Sequence, residues 1–219
     1  MDQLVIVAGG GGALGCAVAT ELIDRDIKVV IVDLAAPNLP VGAEFEAADL
    51  TSDEDVGRVY RKIADDHGSP SGVVNVVGGF AFEPMAGGSS ATWDDMYRIN
   101  LKTVVTSCQA ALALLEDGAS IVNVGAAAAC RPGSGMAPYC ASKAGVHVLT
   151  ESLAEEMRPR LIRVNAVLPT IIDTPANRVA MPDADPAGWV SPARAAKAIA
   201  FLLSDDASAV TGACVPLSG

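Results

Sequence analysis

Short apolar runs recur along the chain, separated by segments of helical period. Leu4 to Ala8, Lys28 to Asp33, Glu44 to Ala48, Val73 to Val77, Ser120 to Val124, Arg163 to Leu168 and Ala213 to Leu217 read as seven strands. Between them apolar residues return every three or four positions, which predicts helices near residues 13–25, 53–66, 92–116, 137–157 and 192–204. This alternation predicts an α/β fold in a single domain over residues 1–219, a doubly wound parallel sheet of seven strands flanked by helices. Two stretches break the pattern. Phe80 to Ser90 is Gly-rich, and Pro169 to Ser191 carries Pro169, Pro175, Pro182 and Pro186, with Pro192 just beyond. Each follows the C-terminal end of a strand, where open α/β sheets bind ligands, so both read as functional loops and residues 169–192 as a substrate lid.

Composition narrows the class of ligand. Half of the 219 residues (51%) are hydrophobic, which argues against disorder. Asp and Glu total 26 against 15 Lys and Arg, a net charge of −11, and no basic cluster stands out. Such a surface neutralises few phosphates, so nucleic acid and anionic membrane are excluded as expected partners and a small molecule is left. No apolar run approaches the roughly 20 residues that span a bilayer. Met1-Asp2-Gln3 enters the first strand with no basic region before it, against a secretory signal. Cys16, Cys108, Cys130, Cys140 and Cys214 are an odd set with no CxxC pair, so they read as reduced, buried thiols of a cytoplasmic protein, with no metal site.

The first strand runs into Ala8-Gly9-Gly10-Gly11-Gly12-Ala13-Leu14-Gly15 and then a helix. Glycines here let the backbone turn sharply and approach a pyrophosphate, which the free N–H groups of the helix start favour. The second strand ends in Asp33, about 20 residues beyond the glycines, where a carboxylate accepts hydrogen bonds from an adenosine ribose and repels a 2′-phosphate. Neither the glycine turn nor Leu34-Ala35-Ala36 holds a basic residue, so NAD(H) is favoured over NADP(H). Asp49-Leu50, after the third strand, is placed to meet the adenine edge, and Asp49 equally to cap the helix that follows.

Tyr139 and Lys143 stand four apart on a predicted helix and so share a face. A phenol near pKa 10 is a poor acid-base catalyst until a cation stabilises its phenolate. An ammonium about 4 Å away at an effective dielectric near 20 contributes about 4 kcal/mol, roughly three pKa units, which would bring Tyr139 toward physiological pH.

With these pieces in order, the chain resembles the short-chain dehydrogenase/reductase family over essentially its whole length. The match comprises the glycine turn ending in Gly15, Asp33, Asp49-Leu50, Asn75-Val76-Val77-Gly78, Asn100, Tyr139-Cys140-Ala141-Ser142-Lys143, and Pro169 to Thr174. The resemblance implies a Rossmann fold and hydride transfer between nicotinamide and a substrate carbon. It implies Tyr139 as acid-base, Lys143 holding the nicotinamide ribose and lowering the tyrosine pKa, and Asn100 holding a water that links Lys143 to solvent. The cofactor would lie along Gly9, Gly12, Ala13, Leu14, Gly15, Asn75, Gly78, Pro169 and Ile171, with Thr174 on its carboxamide. Family members commonly pair their fourth and fifth helices between subunits, and the Ala-rich stretches Ser107 to Leu115 and Ala137 to Leu153 suit a dimer or tetramer.

Departures from the family pattern shape the expected chemistry. The usual catalytic Ser, thirteen residues before the Tyr, is Ala126. Losing one donor to a developing oxyanion costs about 10²–10³ in rate, so reduction of a demanding ketone should suffer. Ala13 replaces a glycine of the turn, and Thr170 follows Pro169 where the family has Gly. The Ala at this position, the Gly-Ala-Leu-Gly turn, Leu168 to Arg178, Met181 to Asp185 and Trp189 are similar to the dihydropteridine reductase subgroup, whose quinonoid acceptor takes hydride with less polarisation. The expected function is an NAD(H)-dependent short-chain oxidoreductase acting on a small carbonyl, alcohol or conjugated substrate. Alternatives are a dihydropteridine-reductase-like enzyme proper and a nucleotide-binding scaffold or sensor impaired by Ala126. His147 reads as a helix–helix subunit contact, His67 as solvated, and Trp189 as an anchor of the 169–192 loop or a wall of the substrate site.

Overall fold

Rows of Val and Ile that are buried on both faces need helices on both sides, and that requirement fixes the layers of this protein. The computed structural model describes residues 3–35 and 38–219; Met1-Asp2 and Ala36 lie outside the described residues. In chain order the elements are β1 (Leu4–Ala8), α1 (Ala13–Ile23), β2 (Lys28–Asp33), β3 (Glu44–Ala47), α2 (Asp53–His67), β4 (Gly72–Asn75) and α3 (Ser90–Tyr97). A π-helical turn (Arg98–Lys102) leads into α4 (Thr103–Leu112), then β5 (Ser120–Val124), α5 (Ala137–Glu156), β6 (Arg163–Pro169), α6 (Pro175–Ala180), α7 (Pro192–Leu203) and β7 (Cys214–Leu217). All seven strands are parallel, in the order β3-β2-β1-β4-β5-β6-β7.

One face of the sheet is covered by α2, α4 and α5, through Val59, Tyr60, Val104, Cys108, Val146 and Leu153. The other is covered by α1 and α7, through Val18, Leu22, Ala195 and Ile199. Burying a Val or Ile such as Ile6 or Ile199, both 0% exposed, contributes about 1.5–3 kcal/mol each. The strand order reverses direction between β1 and β4, so their C-terminal ends open a crevice at the switch point.

Helix starts differ in a way that matters for function. The Ser52 hydroxyl caps α2 by accepting from the Asp55 amide at 3.2 Å, and Asp53, Glu54 and Asp55 complement the dipole there. The start of α1 has Gly12 as N-cap and no side-chain cap, which leaves its first amides open.

Several expectations need correction. The expected helix over 92–116 is two helices joined by the π turn, and it ends at Leu112. β4 stops at Asn75, two residues short of Val77. Residues 169–192 are not wholly irregular: Pro169 closes β6, α6 fills Pro175–Ala180, and Ile172 bridges Val190. Of the five thiols expected to be buried, Cys130 is exposed and Cys16 and Cys214 are half-buried. His67 is tied down rather than solvated, with Nδ1 2.7 Å from Lys28 Nζ and Nε2 3.2 Å from Glu44. Within the stretch Ser107 to Leu115, Ser107, Ala111 and Leu115 face the chain's own interior.

Candidate active site

α5 starts with Pro138 in its first turn, where the missing amide costs nothing, and carries Tyr139 and Lys143 up one face. Lys143 is 4% exposed, and its ammonium donates to the Val124 carbonyl at 2.9 Å and the Val77 carbonyl at 3.4 Å. Burial pulls its pKa down to about 8. Tyr139 is half-buried, and burial pushes its phenol up to about 12, the reverse of the lowering the sequence led us to expect. The reason is geometric: strand carbonyls, not the phenol, take up the Lys143 ammonium in this structure.

Asn100 lies within the π turn and is 0% exposed. Its Oδ1 accepts from the Gly79 amide at 2.8 Å, and its Nδ2 donates to the Gly79 carbonyl and to Ser142 Oγ, both at 3.0 Å. Ser142 Oγ donates in turn to the Tyr139 carbonyl at 2.7 Å. Asn100 thus clamps the Gly78-Gly79 segment to the helix of Tyr139 and Lys143. A Cβ on Gly78 would sit 2.8 Å from Lys143 Nζ and 2.9 Å from Asn100 Oδ1, so any side chain there must displace one of them.

At the other end of the crevice, Gly9 has φ +79°, a turn that L side chains rarely adopt. The Gly11 amide donates to Asp33 Oδ2 at 3.0 Å and the Leu34 amide to Asp33 Oδ1 at 2.7 Å, so the carboxylate is fixed beside the glycine turn. Gly12 and Ala13 are exposed at the mouth, whereas Leu14 and Gly15 are buried under it. Asp49 accepts from the Thr51 amide and hydroxyl at 2.9 and 2.7 Å, bonds that hold its carboxyl below the usual range. Leu50 is buried beside it.

The family model described as Enoyl-(Acyl carrier protein) reductase matches residues 11–219. The chain belongs to the short-chain dehydrogenase/reductase family. Among similar members, 4-formylbenzenesulfonate dehydrogenase of Comamonas testosteroni is 33% identical, the match covering 99% of this chain and 96% of that protein. A 3-oxoacyl-[acyl-carrier-protein] reductase of Pseudomonas aeruginosa is 31% identical over 99% of this chain and 96% of its own. The ligand-free structure of Thermoplasma acidophilum aldohexose dehydrogenase superposes with a TM-score of 0.92 at 28% identity, covering 99% of this chain and 92% of that one. As a short-chain dehydrogenase/reductase the protein is an oxidoreductase, and members of this family use a nicotinamide cofactor.

The residues of this short-chain dehydrogenase/reductase fit such a dinucleotide. A Cβ on Gly11 would meet the Ala35 carbonyl at 2.5 Å and Asp33 Oδ2 at 3.1 Å, so side chains are kept out of the cradle, and the uncapped α1 amides border it. Not every expected residue faces the crevice. Asn75 is 1% exposed, and its side chain is used up in a buried chain in which Ser107 Oγ donates to it at 2.5 Å and its Nδ2 donates to Asn123 Oδ1 at 2.8 Å. That chain extends through the Tyr60 hydroxyl, 2.7 Å from Ser107, and through Thr150 Oγ1, which accepts from Asn123 at 2.9 Å. It ties β4 and β5 to the helices covering them. Pro169 is buried and pairs with Leu217, Ile171 is 36% exposed, and the Thr174 hydroxyl caps α6 by accepting from the Asn177 amide at 3.1 Å.

Phe80 escaped sequence reasoning, as did the contact made by His147. Phe80 lies edge-on to the Tyr139 ring, centroids 5.0 Å apart at 71°. Its signal was available, an aromatic immediately after Gly78-Gly79 in a chain with few aromatics. His147 turns toward β5, its Nε2 accepting from the Ala126 amide at 3.3 Å, a contact that no spacing rule announces. Trp189, 8% exposed, belongs to the base of the 169–192 segment rather than to an open wall. A cleft of about 750 Å³ lies at the opposite end of the strands by Arg25, His67, Asp117 and Asp205 and contains none of these residues.

Proposed function

We propose that this protein is an NAD(H)-dependent oxidoreductase whose substrate is a small carbonyl or alcohol, or a flat conjugated acceptor of the pterin or quinone kind. When bound, the nicotinamide supplies or accepts the hydride. Tyr139 gives a proton to the substrate oxygen or nitrogen that receives the electron pair, and takes it back in the reverse direction. Lys143, whose ammonium holds its charge at neutral pH with a pKa of about 8, compensates the phenolate and holds the nicotinamide ribose. Asn100 keeps Gly78-Gly79 and α5 in register and holds the water through which Lys143 reaches solvent. Asp33 selects the cofactor lacking a 2′-phosphate, with Gly9, Gly12, Ala13, Leu14 and Gly15 around the pyrophosphate and Asp49 and Leu50 at the adenine. Gly78, Ile171 and Thr174 border the nicotinamide, and the segment 169–192 closes over the substrate. The protein works in the cytoplasm as a dimer or tetramer.

The observation that supports this reading is that Lys143 and Asn100 converge on Gly78, with Tyr139 one turn before Lys143 on α5, opposite an open glycine turn held to Asp33. A conjugated or aromatic acceptor is favoured by two facts. The buried Ala126 offers a methyl where a hydroxyl would polarise a carbonyl, and Phe80 presents an aromatic edge beside Tyr139. The similarity to a 4-formylbenzenesulfonate dehydrogenase points the same way. Ala126 is also what favours a nucleotide-binding protein without turnover, against which the retention of Tyr139, Lys143 and Asn100 stands.

The test is NADH oxidation against aromatic aldehydes, quinones, quinonoid dihydropterin, β-ketoacyl thioesters and simple ketones, in the natural chain and in Ala126→Ser. Turnover is expected with aromatic or conjugated acceptors. Ala126→Ser should raise the rate on simple ketones by about 10² and on the best conjugated acceptor by less than about threefold. Absence of turnover with every acceptor overturns the enzymatic reading.

A further inference from the structure

Tyr139, Lys143 and His147 form a ladder up one face of α5 at four-residue intervals, and the last two reach the same short stretch of backbone. Lys143 donates to the Val124 carbonyl at 2.9 Å, while His147 Nε2 accepts from the Ala126 amide at 3.3 Å. Gly125 lies between these rungs, and its own amide donates to the Val167 carbonyl at 2.9 Å. A Cβ on Gly125 would lie 2.6 Å from both His147 Nε2 and Leu168 Cδ2, so a glycine is needed for the ring to approach the strand. Both rungs hold the end of β5 to α5, one by donating and one by accepting.

We infer that His147 is a positioning residue for Lys143: by accepting from the Ala126 amide it fixes the strand end whose Val124 carbonyl orients the Lys143 ammonium. The inference rests on Lys143 serving the proposed reaction. An acceptor Nε2 requires the proton on Nδ1, so the ring is neutral in this arrangement. Protonation turns Nε2 into a donor facing another donor, which breaks the rung. The charged groups acting on the ring are Glu151 and Lys143, one turn away on either side along α5. Gly125, Ala126 and Leu168, which pack on it from β5 and β6, are uncharged. Cys214 of β7 is a thiol held up by burial and by the Glu151 charge. Burial outweighs Glu151 and keeps the His147 pKa below its ordinary 6.5, so the rung is intact at neutral pH and is lost as pH falls through that lowered value.

The test compares the natural chain with His147→Gln, which keeps an acceptor that does not titrate, and with His147→Leu, which has none. Nitrogen NMR of the natural chain should show His147 as the Nδ1–H tautomer titrating below 6.5. The Lys143 titration near pH 8 should be kept in the Gln variant and displaced by more than about half a unit in the Leu variant. These readings need no turnover and stand even if every acceptor fails. In kinetics, the natural chain should lose kcat on the acid side as pH falls through the lowered His147 value. His147→Gln should keep kcat within about threefold at neutral pH and lose that acid limb, and His147→Leu should lower kcat about tenfold with nucleotide affinity unchanged. An Nε2–H tautomer at neutral pH, a Lys143 titration indifferent to His147→Leu, or an acid limb that persists in His147→Gln overturns the inference.

Discussion

The Gly11 amide and the Asp33 carboxylate are joined by a 3.0 Å hydrogen bond that closes the glycine turn onto the tip of β2. Its partner oxygen accepts from the Leu34 amide at 2.7 Å, so the carboxylate is aimed before any nucleotide arrives. A 2′-phosphate would meet this fixed negative charge with no basic residue in the turn to offset it.

That relationship predicts a nucleotide preference. The natural chain should bind NADH at least about tenfold more tightly than NADPH, a difference of about 1.4 kcal/mol or more. In Asp33→Ser the two affinities should come within about threefold of each other. Fluorescence titration with both nucleotides checks this, and tighter NADPH binding by the natural chain would remove the role assigned to Asp33.

Gly78→Ala tests the crowding at the catalytic end. Its methyl would lie 2.8 Å from Lys143 Nζ and 2.9 Å from Asn100 Oδ1, so one of them must move. A displacement of that kind should cost about 10²-fold in kcat. Gly78 is exposed, so the melting temperature should change little. Steady-state rates and thermal unfolding of the same preparation separate the two effects.

Stability should depend on pH through Lys143. Burial lowers its pKa from 10.5 to about 8, so between these values the unfolded chain holds a proton that the folded chain has released. Stability therefore rises with pH across this window, by about 2 kcal/mol from pH 7 to pH 9.5. Urea unfolding at both pH values should show the rise in the natural chain and not in Lys143→Met. A natural-minus-variant difference that stays constant would contradict the buried, carbonyl-bound ammonium.

The layering was readable from hydrophobic pattern because β-branched runs buried on both faces have few other solutions: β1, β2 and β5 have the bounds expected for them. The glycine turn, Asp33 and the Tyr139–Lys143 spacing were readable because local backbone demands carry them. What was not readable depends on contacts between distant segments. The break in the 92–116 helix comes at Asn100, whose side chain is engaged by Gly79 and Ser142, and periodicity cannot register that. Spacing put Lys143 on the right face but not on the Val124 carbonyl, so the direction of the Tyr139 shift was missed. Asn75 was readable as important but not as buried in a chain of side-chain bonds running from Tyr60 to Thr150.

The central claim is that Tyr139 moves the proton in a reaction powered by bound NADH. The most direct measurement is the turnover of Tyr139→Phe alongside its affinity for NADH. Loss of one hydroxyl should lower kcat by about 10²–10⁴ and leave the NADH Kd within about twofold, because the role proposed for the phenol is in the chemical step and the groups proposed to hold the nucleotide are the glycine turn, Asp33 and Lys143. A variant that keeps more than about a tenth of the natural rate while binding NADH normally would contradict the account.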